Sequence, residues 1–136
     1  MKKKKIASAK TSRTKWHTDD VIAFLLASLE IEYITTNGSR IHKTIFELKR
    51  KYPEFFDDLI FSGNEIHPFS KELETILFRF YQTNVLSALN PSFDFYFIDK
   101  EKKTEIIHHL ENRFSKEDNG KIYEMSKLIK SENLLS

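Results

Sequence analysis

The spacing of apolar residues predicts a first helix that begins near Thr18. Apolar side chains recur there every three or four positions, as on one buried face of a helix; they are Ile22, Leu25, Leu26, Leu29 and Tyr33. Thr18 is the predicted N-cap, and the acidic side chains of Asp19 and Asp20 favour the helix dipole in the first turn. Asn37-Gly38 tolerates left-handed geometry and is predicted to end the segment.

A second helix is predicted to follow, capped by Ser39 and stopped at Tyr52-Pro53. Its apolar positions fall at i, i+4, i+7 and i+11; they are Ile41, Ile45, Leu48 and Tyr52. Its other face is the most basic surface expected in the folded part and carries Arg40, His42, Lys43, Lys49, Arg50 and Lys51 beside Glu47. Such a face is either merely solvated or lies near a phosphate backbone.

Residues 70–98 have the pattern of a capped helix followed by two short strands. Ser70 is a suitable N-cap, and the helix should end near Thr83. Its core positions are Leu73, Ile76, Leu77 and Phe80. Residues 85–89 and 93–98 are rich in β-forming side chains, and Asn90-Pro91-Ser92 between them is a turn cluster. A β-hairpin is therefore predicted.

A helix that leads directly into a hairpin, after two earlier helices, is the ground plan of a winged helix-turn-helix domain. We therefore expect a mainly α protein with a small β-hairpin, an α+β class, in which residues 18–99 form a winged-helix-like domain. Residues 1–17 are expected to be a disordered basic arm. Residues 100–136 should add two C-terminal helices, of which the first is capped by Asp99 and is separated from the second by Asp118-Asn119-Gly120. These helices either pack on the domain or form a homodimer through residues 100–133.

Composition narrows the functional classes. The 136 residues include no cysteine, which excludes disulfides, thiolate zinc sites and cysteine nucleophiles. Three scattered glycines cannot form a phosphate-cradling loop, and Glu105, His108 and His109 lack a second cluster of metal ligands. We expect neither an enzyme nor a cofactor. No apolar run approaches the ~20 residues of a membrane span, and no secretory leader is evident, so we expect a cytoplasmic protein without membrane contact.

Charge is distributed unevenly along the chain. The first 16 residues carry seven basic side chains and no acidic one; they are Lys2, Lys3, Lys4, Lys5, Lys10, Arg13 and Lys15. The other 15 basic and 20 acidic residues leave the rest of the chain with a net charge of −5. The arm is either a solvated end or a flexible grip on nucleic acid, with Lys2, Lys3, Lys4, Lys5 and Arg13 as candidate phosphate contacts.

The helix that begins at Lys71 has a polar face suited to contacts with base edges. At 100° per residue this face carries Lys71, Thr75, Phe78 and Gln82, with Arg79 at its flank. Together with Arg40 and Lys43 of the preceding helix, its polar members are the candidate nucleic-acid contacts of the folded part. Glu72 and Glu74 argue against this role, because carboxylates repel phosphate oxygens.

Phe78 is a large aromatic residue on this otherwise polar face. Either another layer covers it, such as the C-terminal helices, or it contacts a protein partner.

The chain also resembles a prokaryotic winged helix-turn-helix group over residues 18–98. In that group a short G-R-x-x-x-K helix opening precedes a G-P-x-S-x-x-L helix start. The corresponding stretches here are residues 38–48, GSRIHKTIFEL, and residues 67–73, HPFSKEL, in which His67 replaces the group's glycine. The resemblance implies a winged-helix fold and a role in regulation.

The sequence therefore favours a small DNA-binding transcriptional regulator of winged-helix type whose partner is double-stranded DNA. The alternative is a protein-interaction module with this fold that does not bind DNA, such as an antitoxin-like protein or a phage or mobile-element accessory protein. The net charge of −5 and the acidic Glu72 and Glu74 favour the alternative. DNA binding predicts a continuous basic strip through Arg40, Lys43, Lys71 and Arg79. A protein partner predicts an apolar patch around Phe78.

Overall fold

The structure, a computed structural model, describes residues 17–30, 33–35, 38–83, 87–88 and 95–129, and describes only the backbone of residues 33–35, 38–39, 87–88 and 95–97. The elements in these ranges are α1 (Thr18–Ala27), β1 (Tyr33–Thr35), α2 (Gly38–Lys51), a 3₁₀ turn (Pro53–Phe55), α3 (Lys71–Gln82), β2 (Ser87–Ala88), β3 (Phe95–Phe97), α4 (Lys100–Glu111) and α5 (Lys116–Leu128). The predicted arm and the predicted hairpin turn lie outside the described residues.

Side-chain caps fix the starts of α3 and α4. The hydroxyl of Ser70 accepts a hydrogen bond from the backbone N–H of Leu73 at 3.2 Å. The carboxylate of Asp99 accepts one from the backbone N–H of Lys102 at 2.7 Å. Both predicted caps are therefore confirmed, since each satisfies an N–H that has no partner within its helix. The predicted stop of α2 ahead of Pro53 is also confirmed.

The boundaries of α1 and α2 differ from the prediction. α1 ends at Ala27 and does not continue to Tyr33, which lies in β1. Thr18 is the first helical residue and not the cap, and its hydroxyl donates a hydrogen bond to the carboxylate of Asp58 at 3.2 Å. α2 already includes Gly38, so the prediction that Ser39 caps it is wrong.

The predicted break at Asp118-Asn119-Gly120 is also wrong, because these residues lie inside α5. The hydroxyl of Ser115 caps this helix by accepting a hydrogen bond from the backbone N–H of Asp118 at 3.0 Å. Acidic residues in the first turn favour the helix dipole. Together these contributions offset the roughly 1 kcal/mol that a glycine costs in a helix interior.

The core joins α1 to the two C-terminal helices. Phe24 is fully buried, and its ring centroid lies 5.5 Å from that of Phe114 and 5.4 Å from that of Tyr123. Ile122 and Met125 of α5 are buried in the same cluster. α4 and α5 thus bury Leu110, Ile122 and Met125 within the chain, against the broad apolar face of α1.

The segment between α2 and α3 closes the other side of the core. Phe55, Phe56 and Leu59 are fully buried. The backbone then turns at Gly63, whose φ is +90°, and a Cβ there would lie 2.5 Å from the carbonyl oxygen of His67. Only glycine fits this turn without strain, and the turn brings the chain back to the start of α3.

The strands are short. β1 and β2 both pair antiparallel with β3, in the order β1-β3-β2, and Tyr33 and Ser87 both lie opposite Phe97. No β-hairpin is shown, because the residues that would turn from β2 into β3 lie outside the described ranges.

The predicted fold class, an α+β winged-helix-like domain with a hairpin and added C-terminal helices, is therefore wrong. The described part of the chain is mainly helical, and α4 and α5 supply part of its core. The physical reason is that paired segments of two or three residues bury little apolar surface, whereas α1 is apolar on more than one side and needs cover from other helices.

Candidate functional site

In the part of the chain that the structure describes, no element covers the polar side of α3. The helix buries one side in the core through Leu73, Ile76, Leu77 and Phe80. The predicted contact positions on its other side are all exposed; they are Lys71, Thr75, Arg79 and Gln82. The structure thus brings these four side chains together on one accessible helix surface, hereafter the polar face of α3.

Phe78 lies beside this polar face and is 56% exposed. The C-terminal helices do not cover it, because they pack against α1. Tyr81, one turn further along α3, is 38% exposed. An accessible aromatic surface therefore borders the polar face of α3.

The carboxylate of Glu72 binds groups within the chain. It accepts hydrogen bonds from the backbone N–H of Ile60 and from the hydroxyl of Ser70, both at 3.1 Å. A hydrogen bond from its own backbone N–H, followed by the one from Ile60, holds the pKa of Glu72 below its usual value. This acidic residue therefore tethers the preceding loop to the start of α3.

The carboxylate of Glu74 contacts the imidazole of His42. His42 was predicted to lie on the solvated basic face of α2, but it is only 1% exposed. Nδ1 of His42 accepts a hydrogen bond from the backbone N–H of Ser70 at 2.9 Å, and Nε2 lies 2.9 Å from a carboxylate oxygen of Glu74. Since Nδ1 accepts a hydrogen bond, the ring proton is on Nε2, and this N–H donates a hydrogen bond to the carboxylate of Glu74. The ring also stacks on Phe69 with centroids 4.6 Å apart.

His42 therefore fixes the start of α3 against α2. Sequence reasoning missed this role because His42 was grouped with the cations of α2. A signal was available on the helical wheel: at 100° per residue, His42 lies only about 60° from the buried Ile45, at the edge of the apolar stripe.

Arg79 reaches across to α1. Its guanidinium lies 3.6 Å from the carboxylate of Asp19, and the two side chains are 53% and 38% exposed. A cavity of about 700 Å³ beside them is also lined by Lys71, Asp58 and Glu72. Lys71 and Arg79 thus face three carboxylates, so this end of the polar face of α3 is not a positive surface.

A second cavity, of about 410 Å³, follows the basic side of α2 and is hereafter the α2 groove. Its lining residues are Arg40, Lys43, Thr44, Glu47, Leu48, Lys51, Ile66, His67, Leu128 and Ile129. Three cations against one carboxylate make its α2 wall positive. Among the described residues the two cavities share no lining side chain, so the predicted continuous basic strip through Arg40, Lys43, Lys71 and Arg79 is not shown.

Other cations of α2 contact the protein itself. The amino group of Lys49 donates a hydrogen bond to the carbonyl oxygen of Leu59. The guanidinium of Arg50 lies 5.6 Å from the centroid of the Phe46 ring and 3.9 Å from the carboxylate of Glu65. The basic surface that faces the α2 groove is therefore narrower than the sequence predicted.

Some predictions fall outside these observations. Lys2, Lys3, Lys4, Lys5 and Arg13 lie in residues that the structure does not describe, so their contact with phosphates stays a prediction. Within the described ranges, no group of three or more histidine, aspartate or glutamate side chains could hold a metal ion. No helix in the same ranges has the length and apolar character needed to cross a bilayer.

No family model, no curated protein and no solved structure matches this chain.

Proposed function

We propose that the protein binds double-stranded DNA as a small cytoplasmic transcriptional regulator. The polar face of α3 would contact base edges, while Arg40 and Lys43 of α2 and the basic arm would contact phosphates. The observation that supports the proposal is the free surface of α3, where four polar side chains are exposed along a helix that is anchored on its other side in the core.

The dimensions and the side chains of α3 suit this role. An α-helix with its side chains is about 10–12 Å across, and the major groove of B-DNA is about 12 Å wide. Arginine forms bidentate hydrogen bonds with guanine, and glutamine forms them with adenine. Arg79 and Gln82 lie about one turn apart, so one helix could offer both contacts to neighbouring base pairs.

The acidic residues at the start of α3 have roles within the protein. Glu72 tethers the preceding loop, and the carboxylate of Glu74 accepts a hydrogen bond from Nε2–H of His42. The contacts within the chain thus account for both residues without a partner of opposite charge.

The ion pair between Arg79 and Asp19 is a weak competitor for DNA. The 3.6 Å separation is longer than a hydrogen bond, and both side chains are partly exposed. Surface pairs of this kind contribute about 0–1 kcal/mol. Arg79 can therefore exchange Asp19 for a base at small cost.

The test starts with selection of a preferred duplex from a random library, followed by fluorescence anisotropy at one fixed salt concentration. Arg79→Ala should weaken binding to the selected duplex by about 1–3 kcal/mol and leave binding to random duplex nearly unchanged, because base contacts specify and phosphate contacts position.

Arg113→Ala is the matched control. Arg113 follows α4, is 47% exposed, and its guanidinium lies 3.4 Å from the carboxylate of Asp20, next to the aspartate that pairs with Arg79. Its removal should leave both affinities unchanged. If Arg79→Ala still prefers the selected duplex as strongly as the parent does, α3 does not contact the bases. If no duplex binds more tightly than random DNA, the proposal that the protein reads DNA sequence is refuted.

A protein-interaction module is the second candidate, and the exposed Phe78 and Tyr81 favour it. Phe78→Ala should then cost about 2 kcal/mol or more of partner affinity while the protein stays folded. Ile60→Ala is the control, since Ile60 is 69% exposed and lies outside α3. If Phe78→Ala and Ile60→Ala bind the partner protein with equal affinity, this candidate is refuted.

A further inference from the structure

The α2 groove has two chemically different walls. α2 contributes Arg40, Lys43 and Lys51, with Glu47 as the one acidic side chain among the lining residues. Ile66 and Leu128 form an aliphatic side and are 66% and 41% exposed. These are two of the six large hydrophobic side chains that are exposed in the described part of the chain, and both line this groove.

The floor of the groove is also aliphatic, because Leu48 and Ile129 line it and are 5% and 9% exposed. Apart from the imidazole of His67, no aromatic ring of the described residues lines the groove. A flat aromatic ligand would therefore find no aromatic side chain to stack against, whereas an alkyl chain would cover the aliphatic surface.

The positive wall selects the charge of the ligand. Lysine and arginine form their strongest hydrogen bonds with carboxylates and phosphates. The volume of about 410 Å³ lies at the lower end of the roughly 300–1,000 Å³ that small-molecule sites occupy. A site of this size suits one small anionic head and one chain of medium length.

We propose that the α2 groove binds a medium-chain alkyl carboxylate. The carboxylate pairs with the cations of α2, Lys43 foremost because it is half-buried at the groove, and the chain lies along Ile66 and Leu128. This site is separate from the polar face of α3, since no described residue lines both cavities.

Isothermal titration of the full chain with decanoate, below its micelle concentration and without DNA, tests the proposal. Decanol keeps the chain and lacks the charge, and butyrate keeps the charge and lacks the chain. Both should bind about tenfold or more weakly than decanoate, because each loses one of the two walls. Decanoate binding no tighter than decanol would overturn the proposal.

Variants locate the site. Lys43→Glu and Leu128→Asp should each weaken decanoate binding about tenfold or more. The matched controls are Lys116→Glu and Ile60→Asp, which change an exposed cation and an exposed aliphatic residue outside the lining of the groove, and they should bind as the parent does.

Melting curves show whether each variant stays folded. If Leu128→Asp does not, the smaller change Leu128→Ala replaces it. Parent-like binding in Lys43→Glu would overturn the proposal, because the carboxylate would then be bound by cations elsewhere, such as those of the basic arm, which is intact in that variant. Because the titration contains no DNA, its outcome is independent of the DNA-binding proposal.

Discussion

Replacement of His42 by alanine should destabilise the protein more than replacement of any exposed histidine. The imidazole is 1% exposed and makes three contacts: with the backbone N–H of Ser70, with the carboxylate of Glu74 and with the ring of Phe69. Alanine removes all three. The start of α3 then loses its link to α2.

The three contacts contribute differently to the free energy of unfolding. Ser70 is fully buried, so its N–H would be left without a partner, at a cost of about 1–3 kcal/mol. The stacked aromatic pair adds about 0.5–1.5 kcal/mol. Glu74 adds little, because its side chain is 57% exposed and water can replace the lost donor. The expected loss in free energy of unfolding is therefore about 2–4 kcal/mol.

Thermal unfolding followed by circular dichroism measures this loss. In a protein of this size, 2–4 kcal/mol lowers Tm by on the order of 10 °C. His42→Asn should lose about half as much, because its side-chain oxygen can stand where Nδ1 stands and accept the Ser70 N–H. His109→Ala changes an exposed histidine and should stay within about 0.5 kcal/mol of the parent.

Two results would refute the reasoning. If His42→Ala melts together with His109→Ala, the buried hydrogen bonds contribute nothing measurable. If His42→Asn loses as much as His42→Ala, the bond to Ser70 is not the dominant contact, and the stacking on Phe69 must be.

Three further predictions concern charge and assembly. Deletion of residues 1–16 should flatten the slope of log affinity for random duplex against log salt, by about 0.9 for each phosphate that the arm neutralises, and an unchanged slope would show that the arm is only a solvated end. Glu72→Gln should lower Tm at neutral pH. Because the pKa of Glu72 is depressed by hydrogen bonds to its carboxylate, its stabilising effect is present above the usual glutamate pKa and is lost as the pH falls through the depressed value. The melting curves of variant and parent should therefore converge in acid, and a gap that persists there would contradict this assignment. The sequence left a homodimer through residues 100–133 as one of two alternatives, but Leu110 of α4 and Ile122 and Met125 of α5 are buried inside the chain; light scattering should therefore give the 16.1 kDa monomer, and a stable dimer mass would favour the homodimer alternative.

Local signals determined several features without any knowledge of the tertiary structure. Ser70 and Asp99 cap their helices because a cap bonds to an N–H only three residues away. The division of α3 into a buried side and an exposed polar side followed from its periodicity, which is a property of a single helix.

Only the tertiary structure decided the surroundings of the site. The burial of His42, the exposure of Phe78 and the hydrogen bonds of Glu72 and Glu74 depend on which elements pack against α2 and α3. The same holds for α4 and α5, whose apolar stripes could have met a second copy as well as α1. Periodicity identifies a face that will be buried, but contacts between residues far apart in sequence decide what buries it, and they also decide which charged groups end up facing one another.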